Sequence, residues 1–281
     1  MSEVSVPSSV PAKGRVRKGV KKGVYLLPSL LTIGNLLSGF YAIVAIYNDE
    51  YWKASMAILV ALILDGLDGA VARLTGAQSD FGIELDSLAD LVSFGVAPAI
   101  LAHVWAIKPY SNIAWLFGSI VPTALFVSCG AFRLARFNIQ TRNLDKRYFV
   151  GLPIPAAALS VASFVLLMGE PPLLVLLEHG GLFRQGASAF MVVLVYLLSF
   201  LMVSRLRYRS LKGIEIKRRQ PFAVLVGLTL LLLLVASRPS LILFICSFVY
   251  IVSGPARSIL RRRAGLEPGE EAAFREGKAS T

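Results

Sequence analysis

Residues 65–90 read DGLDGAVARLTGAQSDFGIELDSLAD and contain six of the 17 acidic residues of the chain. On a helix, Asp65 and Asp68 are three residues apart, and Asp86 and Asp90 are four apart, so each pair projects from one helix face. The stretch is flanked by apolar segments. An ionised carboxylate inside a membrane is energetically costly and by default indicates a functional site.

The composition of the whole chain is that of a membrane protein. Of its 281 residues, 56% are hydrophobic and 16% are charged, and the mean hydropathy is +0.67. Soluble domains carry about a quarter charged residues, so this composition excludes a plain soluble globule and a disordered chain. The apolar residues form long blocks separated by short basic runs, which is typical of a polytopic membrane protein.

Eight segments are candidate transmembrane helices, which need about 20 apolar residues each. We therefore predict an all-α, polytopic membrane helical bundle with about eight transmembrane helices. Pro221, Pro239 and Pro255 are expected to mark helix starts or breaks. The predicted spans are 26–47, 51–75, 86–107, 112–137, 153–169, 187–204, 221–236 and 239–257.

The basic residues predict the orientation and the domain organisation. A cytoplasmic amino terminus places 25 Lys and Arg residues inside and leaves Lys53, Lys108, Arg184 and Arg238 outside, a strong positive-inside bias. We expect a multi-pass protein of the cell (inner) membrane with both termini in the cytoplasm. The predicted parts are a basic cytoplasmic or interfacial arm (1–25), a transmembrane catalytic domain (26–258) and a polar cytoplasmic tail (259–281).

The dispersed positive charge also predicts the general class of partner. Basic residues at the ends of the predicted spans suit contact with anionic membrane lipids. No nucleic-acid-binding motif accompanies the charge, so we expect no nucleic-acid partner.

The two carboxylate pairs are expected to face each other at one depth, near the cytoplasmic ends of consecutive antiparallel spans joined by a loop at 76–85. Four carboxylates in a low dielectric repel one another unless they are neutralised, and Arg73 alone is too little. Oxygen ligands suit Mg²⁺, Mn²⁺ and Ca²⁺, so a pair of divalent ions is the simplest solution. Alternatively, the neighbouring glycines only permit tight helix packing, and the aspartates pair with Arg73.

The same stretch resembles the signature of the CDP-alcohol phosphatidyltransferase family, D-x2-D-G-x2-A-R-x8-G-x3-D-x3-D. The resemblance implies a membrane enzyme that displaces CMP from a CDP-linked lipid or alcohol, using a pair of Mg²⁺ or Mn²⁺ ions. The eight matching positions are Asp65, Asp68, Gly69, Ala72, Arg73, Gly82, Asp86 and Asp90.

The resemblance also implies roles for these residues. Asp65, Asp68 and Asp86 would ligate the metals, and Asp90 would ligate a metal or act as the catalytic base. Asp68 and four further positions would bind the CDP-lipid, namely Gly69, Ala72, Arg73 and Gly82. Two polar residues of the first span, Thr32 and Asn35, would either stabilise helix packing or contact the cytidine or diphosphate.

Four further segments are similar to the bacterial and archaeal family members that use serine: 32–39, 93–98, 132–138 and 149–156. The resemblance therefore implies CDP-diacylglycerol and L-serine as substrates, phosphatidylserine and CMP as products, and a homodimer. The carboxylate of serine needs a cation, which Arg133 and Arg136 can supply from one helix face, with Asn138 as a polar neighbour. Alternatively, these arginines only anchor the helix to lipid phosphates.

Two other functions fit parts of the pattern. The first keeps the family but changes the acceptor to glycerol 3-phosphate, inositol phosphate or choline. The second is an ion or metal transporter, which predicts acidic residues and broken helices at the bilayer midplane.

Overall fold

The computed structural model describes residues 26–76, 79–107, 120–140, 148–204, 206–209 and 238–263. The predicted arm 1–25, the predicted span 221–236, the first part of the predicted span 112–137 and most of the predicted tail lie outside these residues. The described residues are helical apart from two three-residue strands, which confirms the predicted helical class.

The helices and strands are numbered here in chain order over the described residues. The first two helices coincide with the predicted spans 26–47 and 51–75. The helices are α1 (Leu26–Tyr47), α2 (Tyr51–Thr75), α3 (80–107), α4 (Val121–Gln140), α5 (Ile154–Met168), α6 (Pro171–His179), α7 (Gly181–Val203) and α8 (Pro239–Arg263). The strands are β1 (Tyr148–Val150) and β2 (Arg207–Arg209).

Helix α3 is a continuous run of alternating α-helical and π-helical segments. It begins at Asp80, before the predicted start at residue 86, because Ser79 caps it: the Ser79 Oγ accepts a hydrogen bond of 3.0 Å from the Gly82 amide. The predicted loop 76–85 is therefore wrong, and residues 76–79 alone connect the two helices. The four segments of α3 are Asp80–Asp90 (α), Leu91–Val96 (π), Ala97–Ala102 (α) and His103–Ile107 (π).

Among the described residues, five helices are long and apolar enough to cross a membrane: α1, α2, α3, α7 and the first part of α8. The pair α5 and α6, bent by 78° at its break, would make a sixth. These helices support a polytopic membrane protein. The total of eight spans stays a prediction, because 221–236 lies outside the described residues.

Helix α5 forms the centre of the bundle and packs against α2, α3, α7 and α8. Ala157 and Ala158 are fully buried there, and such small residues let neighbouring helices approach closely. The first residue of α5, Ile154, fits into a gap beside Gly95 and Gly130. A Cβ atom at Gly130 would lie only 2.6 Å from the Ile154 Cδ1. The glycine therefore gives the Ile154 side chain its place between α4 and α5.

A small antiparallel sheet lies where α5 begins and α7 ends. Its two strands belong to segments between the predicted spans. Tyr148 pairs with Arg209, and Val150 pairs with Arg207. The next residue, Gly151, has a φ of 86° and donates its amide hydrogen to the Leu206 carbonyl over 2.8 Å. A Cβ atom at Gly151 would overlap a backbone carbonyl of α7, so this position requires glycine.

The strand β2 also anchors helix α8. Pro255 was expected to mark a helix start or break, but it lies inside α8. A proline has no N–H to bond the carbonyl four residues earlier, here Ile251. The buried Tyr208 hydroxyl donates to that carbonyl instead, over 3.2 Å, and Gly254 leaves room for the tyrosine ring. The prediction failed because a partner distant in sequence compensates for the missing bond.

Candidate active site

Three carboxylates from two consecutive helices form a cluster. Asp65 and Asp68 lie on α2, and Asp86 lies on the first segment of α3. Their oxygen atoms lie within 4.8 Å of one another. The four-residue connection 76–79 makes this possible, and Gly76 ends α2 in a left-handed conformation with a φ of 64°.

The cluster fits a divalent cation. Asp68 is buried, and Asp65 and Asp86 are half-buried. The Asp86 Oδ1 is buried and has no hydrogen-bond partner among the described residues. Carboxylates this close repel one another in a low dielectric, and a buried oxygen without a donor is costly, so a cation with oxygen ligands would satisfy both demands.

Asp90 lies one helical turn beyond Asp86 and is buried, with 9% of its surface exposed. It does not belong to the group of three, although Asp65 and Asp86 are within electrostatic range of it. Its Oδ1 accepts a hydrogen bond of 3.2 Å from the Asn35 Nδ2. Asp90 thus lies next to the three carboxylates without joining their group within 4.8 Å.

Helix α1 supplies two polar residues to these carboxylates. The Thr32 Oγ1 donates to the Asp68 Oδ2 over 2.6 Å, and Asn35 donates to Asp90. Both α1 side chains are buried. Sequence analysis named these residues but could not name their partners. Ser93 begins the segment 93–98 that resembles the serine-using family members, but the sequence does not indicate its partner: the Ser93 Oγ donates to the Asn35 carbonyl over 2.9 Å.

The positions assigned to the CDP-lipid lie beside the cluster on the same two helices. Gly69 and Arg73 are neighbours on α2, since a Cβ atom at Gly69 would lie 3.3 Å from an Arg73 guanidinium nitrogen. Arg73 is exposed and within electrostatic range of Asp68. Ala72 is half-buried on α2, and Gly82 lies in the first turn of α3.

Helix α4 brings a buried cation into electrostatic range of Asp90. Arg133 is 9% exposed, its guanidinium carbon lies 5.4 Å from the centre of the Phe137 ring, and Asp65 and Asp90 are within its electrostatic range. Its Nε has no hydrogen-bond partner in the described part of the chain. A buried guanidinium N–H without an acceptor is expensive, which points to an anionic ligand.

The other two residues of the predicted acceptor site, Arg136 and Asn138, also lie on α4. The Asn138 Nδ2 donates to the Ser87 Oγ over 2.9 Å, next to Asp86. Arg136 is half-buried on α4. Arg133 is therefore in electrostatic range of Asp65 and Asp90, and Asn138 bonds the residue next to Asp86. The contacts of the described residues show none that joins Arg136 to an aspartate.

Residues 25–197 match the sequence model of the family described as CDP-alcohol phosphatidyltransferase. The chain belongs to this family. The resemblance carried by residues 65–90 is thereby confirmed, and the transporter interpretation is set aside. Strand β2 and helix α8 lie beyond the matched region.

Individual relatives agree with this assignment. A Helicobacter pylori protein named CDP-diacylglycerol–serine O-phosphatidyltransferase is 38% identical over 237 residues, which cover 83% of this chain and 91% of the relative. A Methanothermobacter thermautotrophicus protein named archaetidylserine synthase is 37% identical over 190 residues, 66% of this chain and 71% of the relative. A Mycobacterium tuberculosis relative with the same name as the first is 32% identical over 251 residues, which cover 86% of this chain and 81% of the relative.

Proposed function

We propose that this chain transfers the phosphatidyl group of CDP-diacylglycerol to the hydroxyl of L-serine, giving phosphatidylserine and CMP. The names of relatives that align over most of both chains support serine as the acceptor. The observation that carries the proposal is the three-aspartate cluster, flanked by the buried Asp90 and the buried Arg133.

Asp65, Asp68 and Asp86 would hold Mg²⁺ or Mn²⁺, in keeping with their oxygen donors and the unpartnered Asp86 Oδ1. When bound, the metal would neutralise the negative charge of the diphosphate. The chain's own residues then bind the two substrates, orient them and accept a proton.

Asp90 acts as the general base in this proposal. It takes the proton from the serine hydroxyl while the hydroxyl oxygen attacks the lipid phosphorus. The bond from phosphorus to the CMP oxygen breaks, and CMP leaves with the bonding electrons. One in-line displacement inverts the configuration at phosphorus.

The two substrates occupy opposite sides of Asp90 in this proposal. The CDP-lipid lies along α2 and the start of α3, where Gly69, Ala72 and Gly82 expose backbone and Arg73 provides a cation. The serine carboxylate binds Arg133, with Arg136 and Asn138 nearby on α4. The reacting hydroxyl then lies between the cation that holds serine and the cluster that holds the diphosphate.

The membrane placement follows the basic residues of the sequence. We propose that the site faces the cytoplasm, that both termini are cytoplasmic and that the chain forms a homodimer. The basic arm 1–25 and the polar tail 259–281 would flank the transmembrane domain on that side.

The test uses the purified full chain in detergent micelles with CDP-diacylglycerol, radiolabelled serine and Mn²⁺ or Mg²⁺. We expect labelled lipid and CMP in equal amounts, no product after metal removal by EDTA, and recovery when the metal is restored. The control is Asp86→Asn, which replaces one carboxylate oxygen by an NH2 group and should abolish turnover.

Parallel reactions test the acceptor and contain glycerol 3-phosphate, inositol phosphate or choline in place of serine. CMP release with one of these alone would contradict the serine proposal.

A further inference from the structure

The contact between Asn35 and Asp90 has a defined direction. Asn35 is fully buried, and its amide group lies 3.2 Å from the Asp90 Oδ1. When Asp90 is ionised, as a general base requires, the nitrogen faces the carboxylate, because the opposite amide orientation would place two acceptor oxygens against each other. The bond therefore occupies one oxygen of Asp90 and leaves the other for a proton.

Asn35 is itself fixed by the segment that follows Asp90. The π-helical run Leu91–Val96 begins at the next residue, and its Ser93 donates a hydrogen bond to the Asn35 carbonyl. Gly39 permits this approach, since a Cβ atom there would lie 2.7 Å from the Ser93 Cα. Side chain and backbone of Asn35 thus bind the same short stretch of α3 at two points. π-Helical insertions of this kind are frequent at functional sites.

Thr32, one turn earlier on α1, provides an internal comparison. It donates to Asp68, a member of the three-carboxylate cluster, whereas Asn35 donates to Asp90 outside that cluster. Two donors on one face of one helix therefore serve carboxylates with different proposed roles. Outer hydrogen bonds of this kind orient the ligand or base that they contact.

We infer that Asn35 is a positioning residue for Asp90, and that Thr32 is the corresponding positioning residue for the metal ligand Asp68. This inference rests on the proposed function, in which Asp90 takes the proton of the acceptor hydroxyl. It differs from both sequence-based expectations for the two α1 residues, which were helix packing or contact with the cytidine or diphosphate. Asn35 acts on turnover, and Thr32 acts on metal affinity.

The experiment compares Asn35→Leu with Thr32→Val, since both replacements remove a donor and keep the branching of the side chain. Mn²⁺ binding is measured by electron paramagnetic resonance without substrates, and kcat and KM are measured for both substrates. For Asn35→Leu we expect kcat to fall about 10- to 100-fold, with Mn²⁺ affinity and the KM for CDP-diacylglycerol within about twofold of the unmodified protein. For Thr32→Val we expect Mn²⁺ affinity to fall about tenfold or more.

Two further variants keep the inference testable if Asn35→Leu does not fold. Ser93→Ala removes only the bond to the Asn35 carbonyl, and we expect a smaller loss of kcat, about threefold, with unchanged Mn²⁺ affinity. Ser38→Ala removes a polar group from α1 in the groove shared with Trp52 and Val60, and should change neither quantity. Unchanged kcat in Asn35→Leu would overturn the inference, and so would unchanged kcat in Ser93→Ala where Asn35→Leu does not fold. A loss of Mn²⁺ affinity in Asn35→Leu equal to that in Thr32→Val would also overturn it.

A failure of this inference can be distinguished from a failure of the proposed function. Mn²⁺ binding does not depend on the acceptor, and the kinetic comparison can use whichever alcohol releases CMP from the unmodified protein. Failure of serine as acceptor would therefore refute the proposed substrate and leave the roles of Asn35 and Thr32 open to the same measurements.

Discussion

Arg133 combines three properties that are difficult to explain by membrane anchoring. It is 9% exposed, its Nε has no hydrogen-bond partner in the described part of the chain, and Asp65 and Asp90 lie within its electrostatic range. An anchoring arginine would extend its charged end towards lipid headgroups and water. A buried guanidinium beside the proposed base instead suits the carboxylate of an amino-acid substrate.

We therefore expect Arg133→Ala to raise the KM for serine about tenfold or more, because a charged hydrogen bond to the substrate is lost. The KM for CDP-diacylglycerol should change much less. The control is Arg136→Ala, which removes a half-buried arginine from the same helix and should have the smaller effect on serine. Steady-state kinetics with each substrate varied in turn provide the measurement. Unchanged serine dependence in Arg133→Ala would favour the anchoring role.

At the residue scale, the sequence identified the chemistry but not all the contacts. The convergence of Asp65, Asp68 and Asp86 was predictable, because helix periodicity sets the direction of each side chain and a short connection between consecutive antiparallel helices brings the two faces together. The partners of Thr32 and Asn35 could not be predicted, since they depend on which helices pack together and in what register. Sequence patterns along one helix carry no such information.

Helix α8 shows how an element can depend on a side chain that is distant in sequence. The Tyr208 hydroxyl binds the carbonyl that Pro255 leaves free, and its ring packs against Tyr250 with a centroid distance of 5.6 Å. Burial raises the pKa of Tyr208 to about 12, so the hydroxyl remains protonated and able to donate at neutral pH. The strand β2 thus holds α8 in place.

We expect Tyr208→Phe to lower the free energy of unfolding by about 1 kcal/mol, because it leaves the buried Ile251 carbonyl without a donor. Gly254→Ala should lower the free energy of unfolding by more than Tyr208→Phe does, since the added Cβ atom would overlap the Tyr208 ring. Equilibrium unfolding in mixed micelles measures both effects. The control is Gly186→Ala in α7, where a Cβ atom would meet nothing within 4 Å, and which should be neutral or slightly stabilising. Equal effects of the two glycine replacements would contradict the anchoring role of Tyr208.

At the scale of elements, the predictions succeeded where hydrophobicity alone sets the bounds. Helices α1 and α2 begin and end as expected from their apolar blocks. The start of α3 was missed because Asp80–Asp90 is amphipathic and polar at its beginning, and the capping residue Ser79 decides where it starts. The two strands were missed because three residues are too few for a recognisable alternation, and only their antiparallel pairing stabilises them.

The molecule as a whole has chemically different ends. Helix α2 begins beside exposed aromatic residues, including Tyr47 and Trp52, which are typical of a membrane–water interface. Its second half carries Asp65, Asp68 and Arg73. At 1.5 Å per residue, its 25 residues span about 37 Å, and Asp65 and Asp68 lie about 3 and 7.5 Å beyond the helix centre, nearer to the membrane surface at the Arg73 end.

The positive-inside bias predicts that this surface faces the cytoplasm. We propose to test it with single cysteines at the two ends of α2, Asn48→Cys and Thr75→Cys, at positions that are both exposed. Cys129 and Cys246 are first replaced by alanine, and activity is checked in this background. A membrane-impermeant maleimide should label Asn48→Cys in intact cells and Thr75→Cys only after permeabilisation. The reverse pattern would place the aspartates nearer to the outer surface and would contradict the proposed orientation.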